Sequence, residues 1–126
     1  MTHNDEANDQ KFRYMRGKIR ETIFCLIIGE GDVRERLLLA FKGNSFISEH
    51  DLPAHLQDDW RWVISQMTRF EITDTYDCDI RRGSYELTMN RIRNSTGRKI
   101  AERILKIAIS MNCFSDIGFD VIDLQK

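Results

Sequence analysis

The chain of 126 residues contains one proline, Pro53, so little in it interrupts helical backbone. Cysteine is scarce as well. Cys25, Cys78 and Cys113 lie far apart and form no Cys-x-x-Cys pair, which argues against a disulfide framework and against a zinc site. No apolar run reaches membrane-spanning length, and the polar opening, Met1 to Gln10, lacks the apolar centre of a signal peptide. These absences imply a cytoplasmic protein with no membrane association, in which the Asn94-Ser95-Thr96 glycosylation pattern has no meaning.

Internal repeats and low-complexity tracts are missing too. What is present is an ordinary globular balance, 41% hydrophobic and 31% charged residues, interspersed, in a length that suits one domain with a real core. The expected organisation is a disordered polar N-terminus over 1–9 and a single helical domain over 10–126. The formal charge of -1 conceals an asymmetry. Residues 71–79 hold Glu71, Asp74, Asp77 and Asp79 without a base, whereas residues 81–106 hold Arg81, Arg82, Arg91, Arg93, Arg98, Lys99, Arg103 and Lys106 against Glu86 and Glu102. Either the two segments neutralise each other inside the fold, or the basic one is free to meet an anion.

The most informative stretch runs from Arg91 to Met111. At about 100° per residue, Ile100, Ile104, Ile107 and Met111 fall on one line, Ala101 and Ala108 flank it, and Leu105 and Ile109 lie nearly opposite. A helix apolar on two sides is expected to be buried on two sides, with Lys99, Arg103, Lys106 and Ser110 as its one wet edge. Before it, Gly83 and Ser84 open a helix whose face is Tyr85, Met89 and Ile92, and that face carried onward meets Lys99 and Arg103. The apolar line restarts about 80° away at Ile100, so the two helices are expected to meet at 94–97, with Ser95 or Thr96 capping the second.

Three more helices are legible. From about Asp9, Phe12, Met15, Ile19, Ile23 and Leu26 keep a helical line; Ile23 to Ile28 is apolar all round, which predicts burial as a helix end or a core strand, and Gly29-Glu30-Gly31 stops it. Asp32 with Glu35 forms a capping box ahead of a short helix faced by Val33, Leu37, Ala40 and Phe41 and closed by Gly43. Pro53 suits the first turn of the next helix, with Asp51 or Leu52 as cap, and Leu56, Trp60, Val63, Met67 and Phe70 then alternate steps of four and three. The expected fold class is all-α, a compact bundle of about five helices. Alternation at Phe70, Ile72 and Tyr76, and again at Ile117, Phe119 and Val121, leaves room for a minor two-strand ribbon of 70–76 with 117–122.

Local signals for catalysis are weak. Cys25 and Cys113 sit among apolar residues, Cys78 sits among carboxylates that oppose its ionisation, and Asp58-Asp59 fit the negative charge favoured near a helix start. His55 and Asp59 share a helix face without a third ligand, and a calcium loop begun at Asp77 meets Arg81 and Arg82 where it needs an oxygen and a glycine. The expectation is a non-enzymatic protein with no cofactor and no metal. Two binding surfaces compete. One is a protein-partner surface, of the regulator or inhibitor type, at Trp62 with Gln66 and Arg69 about 120° from the main seam, a composition typical of interface hot spots. The other is a site for phosphate or nucleic-acid backbone at Arg91, Arg93, Ser95, Thr96, Arg98 and Lys99, where a helix start, hydroxyls and cations coincide. Against each stands a bland alternative: Trp62 packed beneath the 71–83 loop or the C-terminal tail, and 91–99 as a solvated helix corner. Self-association is a further version of the first.

Overall fold

The computed structural model describes residues 3–43, 48–70 and 80–114. They form a bundle of five α-helices, α1 (His3–Ile28), α2 (Val33–Gly43), α3 (Ala54–Met67), α4 (Ile80–Arg91) and α5 (Asn94–Ser110), with a single 3₁₀ turn at Glu49–Asp51 before α3. No strand occurs among the described residues. The ribbon expected from 70–76 and 117–122 falls, apart from Phe70, outside them, as does the acidic segment 71–79.

The apolar lines of the sequence are the lines that meet. Met15, Ile19 and Ile23 of α1, Leu37 and Ala40 of α2, Leu56, Trp60, Val63 and Met67 of α3, and Tyr85 and Met89 of α4 are all buried around Ile100, Ile104 and Ile107 of α5. α5 packs against α1, α2 and α3, while α2 packs against α1, α4 and α5. Phe41 joins three layers: its ring stacks on Trp60 at 6.0 Å and meets Tyr85 edge-on at 5.3 Å, both favoured aromatic geometries.

Two helix ends are built as the residue types dictate. Asp32 accepts at Oδ1 from the amides of Arg34 (2.9 Å) and Glu35 (3.2 Å), and Glu35 Oε1 accepts in return from the Asp32 amide at 3.2 Å, a complete capping box. Gly31, just ahead, has φ 90°, open to glycine at no steric cost. α5 closes in a Schellman motif: the Cys113 amide donates to Ala108 O and the Asn112 amide to Ile109 O, with Asn112 in the left-handed region at φ 57°.

Other ends differ from expectation. α1 has helical backbone from His3 rather than Asp9, and α4 starts at Ile80, ahead of Gly83 and Ser84. Pro53 is the N-cap of α3 and not its first helical residue, because the 3₁₀ turn, capped by Ser48 Oγ accepting from the His50 amide, fills the position expected of Asp51. The α4–α5 junction lies at Ile92 and Arg93 instead of 94–97, and neither Ser95 nor Thr96 is the cap. Arg93 holds that place in extended conformation, its carbonyl accepting from the amides of Thr96 and Gly97. Burial explains the shift. Ile92 must reach the core, and Gly97 must already be helical where α5 crosses α2.

The largest departures concern exposure. α5 is not buried on two sides: Leu105 is 42% and Ile109 57% exposed. The end of α1 is not enclosed either, with Phe24 at 44%, Ile27 at 65% and Ile28 at 78%. Helical periodicity locates an apolar stripe but not a neighbour to cover it, and among the described residues α5 finds its helix partners along the Ile100, Ile104 and Ile107 stripe.

Candidate interaction surfaces

The basic corner is assembled by packing rather than convergence. Gly97 is buried because a Cβ there would lie 3.0 Å from Val33 Cγ1 and 3.3 Å from Arg34 Cγ. This contact sets the start of α5 against the start of α2. Arg91 lies over the Phe70 ring at 5.3 Å. Arg93, Ser95, Arg98 and Lys99 are exposed and Thr96 is half-buried. Arg98 borders a groove of about 450 Å³ that it shares with Asp32, Val33, Arg36, Asn94, Ala101 and Glu102, whereas Lys99 projects about 100° around the helix from it. The cations therefore surround the helix start, and two carboxylates share the groove.

The wet edge of α5 is partly tied down. Asp59 of α3 accepts from Arg103 Nη1 at 3.1 Å and Lys106 Nζ at 3.4 Å, so it is held by cations rather than facing a metal with His55. The Arg103 guanidinium also sits 4.3 Å from the centre of the Trp62 ring, a cation–π contact. Trp62 is half-buried, packed against the core and covered by α5. Gln66 is half-buried too, and Arg69 is exposed beside Phe70 at 5.7 Å. Behind them, Ser84 Oγ donates to Phe70 O at 2.7 Å, and Thr88 Oγ1 accepts from the Phe70 amide at 3.0 Å. Among the described residues no group of three metal-ligating side chains occurs, and no described helix is long and apolar enough to cross a membrane.

Three arginines have roles that no local pattern announces. Arg36 Nη1 donates to Leu26 O near the end of α1 (2.7 Å), Arg34 Nη1 to Ile92 O just past α4 (2.9 Å), and Arg20 Nη1 to Cys113 O just past α5 (2.8 Å). Each places a cation where a helix terminus presents its negative pole and unpaired carbonyls. Arg34 is also clamped by Asp32 Oδ2 at 2.9 Å. That bond, together with the Glu35 amide, holds the Asp32 carboxyl below the usual carboxylate range. A carboxyl with a lowered folded pKa contributes stability that is complete above about pH 4, its unfolded value, and is lost as pH falls through the folded one. Asp32→Asn should therefore lower Tm at neutral pH, with the gap to wild type closing in acid; a constant gap down to pH 2 would assign the effect to something other than this ion pair.

The surface that remains is aliphatic. Arg98, Glu102, Leu105 and Ile109 form one line on α5, and its first half borders the start of α2. α5 runs antiparallel to α1, since Arg20 meets Cys113 beyond the end of α5 while Gly97 at its start lies beside Val33, just after the end of α1. The second half of the line thus lies level with the exposed Phe24, Ile27 and Ile28 along the two helices. Composition hides this face, because each of its residues reads as core in a helical pattern.

This architecture defines the protein as a small all-α bundle. No protein-family model matches the chain, and neither a curated protein nor a solved structure does.

Proposed function

We propose that this is a non-enzymatic protein that acts by binding another protein chain, and that it does so through the aliphatic face of α1 and α5 rather than through Trp62. One observation carries the reading: Phe24, Ile27, Ile28, Leu105 and Ile109 are all exposed, at matching levels of two helices that pack on each other. Together they leave on the order of 500 Å² of apolar side chain in water, taking about 200 Å² for a large side chain, near the top of the range for the largest patch on a monomer. Trp62 supports a contact less well, since Arg103 already covers one side of it.

A photo-crosslinking amino acid at position 28 should give discrete adducts in the producing cells, and one at exposed Glu35 should not. Absence of any discrete adduct from position 28 would defeat the reading. A second reading, binding of a polyanion backbone, is favoured by one fact: Arg93, Arg98 and Lys99 are exposed with no ion-pair partner among the described residues. The same purified protein titrated with duplex oligonucleotide at low salt decides it, because phosphate contacts would give a steep salt dependence and no binding at low salt would remove it.

A further inference from the structure

We infer that the occupant of this face is a second copy of the same chain, docked with α1 antiparallel to α1 of its partner. The inference rests on the reading above and adds the partner's identity. Its starting point is Gly17, in the middle of the 26-residue α1. Glycine inside a helix is destabilising relative to alanine, and the protomer gives no steric reason for it, because a Cβ built at Gly17 meets nothing within 4 Å. The open space lies on the face already described. Arg13, Gly17, Phe24 and Ile28 fall within about 60° of one another around the helix.

Read along α1, that face runs from a cation, Arg13, through a gap, Gly17, and the adjacent charges of Arg20 and Glu21, to a large ring, Phe24, then Ile28, and Glu30 just beyond the helix end. Read backwards it is its own complement. With a two-fold axis between residues 20 and 21, Arg20 of each protomer faces Glu21 of the other beside the axis, Phe24 enters the gap at Gly17, Ile28 lies along the Arg13 stem, and the Arg13 and Glu30 charges approach at both ends. An isologous contact requires this kind of self-complementarity. The area fits as well: Ile27, Leu105 and Ile109 widen the patch to roughly 500 Å², more than half of the ~800 Å² that each partner contributes to a standard interface, and the flanking polar residues supply the rim.

Sedimentation equilibrium of the full chain tests this. Wild type should run at twice its 14.9 kDa mass, and Phe24→Glu should weaken the dimer about 30-fold or more while keeping the helical signal, as loss of a central aromatic anchor does. Gly17→Leu should fill the gap and dissociate the dimer, yet raise the thermal midpoint of the isolated protomer. Arg13→Glu and Glu30→Arg should each weaken self-association, and an equimolar mixture of the two should recover it as a heterodimer. A wild type that stays monomeric at 100 µM, or a dimer indifferent to Phe24→Glu and Gly17→Leu, overturns the inference. A crosslink from position 28 to a different protein would also overturn it while leaving the broader reading standing. So would a monomer whose binding of a hydrophobic dye rises with Phe119→Glu, because the chain's own 115–126 segment would then be the occupant.

Discussion

Ile104→Ala should destabilise the bundle by about 3–4 kcal/mol, the cost of deleting a fully enclosed aliphatic side chain together with the cavity left behind. Ile104 has no exposed surface and lies midway along α5, the helix that α1, α2 and α3 all contact. Against a total stability of about 5–15 kcal/mol this is a large fraction, visible as a lower urea midpoint at unchanged slope and a Tm lower by roughly 10–15 °C. Leu105→Ala, one residue on and 42% exposed, should cost far less. Equal losses at the two positions would show that α5 is not packed along the stripe described here.

The second large effect is expected at Gly97, and its sign depends on the size of the replacement. Alanine regains up to about 1 kcal/mol of helix propensity, and its methyl meets only side-chain atoms, Val33 Cγ1 at 3.0 Å, Arg34 Cγ at 3.3 Å and Leu37 Cδ1 at 3.7 Å. Those neighbours can shift by a few tenths of an ångström, so Gly97→Ala should lie close to wild type. Leucine has no such room. Gly97→Leu should cost about 2–3 kcal/mol by overpacking, and by pushing α5 from α2 it should also release Arg34 from the Ile92 carbonyl. Urea unfolding measures the first effect, and faster amide exchange at the α4–α5 junction reports the second. A leucine variant as stable as wild type would mean that the crossing is loose.

The core was legible because its signal is local. Steps of three and four at Leu56, Trp60, Val63 and Met67 put four side chains on one line whatever lies opposite, and all four are buried. The Asp32–Glu35 cap was equally legible, since its donors and acceptors lie within three residues. The candidate surfaces were read less well. Trp62 was placed off the seam correctly, but the side chain that covers it, Arg103, is 41 positions away, and no periodicity links α3 to α5. Junction residues 91–99 were found as a cluster in sequence, but only the helix geometry shows Arg98 and Lys99 on different sides.

The amino-acid order by itself determined that this protein is helical, where most of its helices lie, and where the apolar stripes run on each, because these depend on interactions within a turn or two of backbone. Tertiary structure alone decided which apolar stripes found a cover. Ile104 and Ile109 are the same residue type on the same helix, one fully enclosed and the other 57% exposed. Tertiary structure likewise decided that Arg20, Arg34 and Arg36 hold the ends of distant segments. Both outcomes depend on what lies across a gap in space, and hydrophobic burial and carbonyl pairing carry no sequence mark of the partner that will supply them.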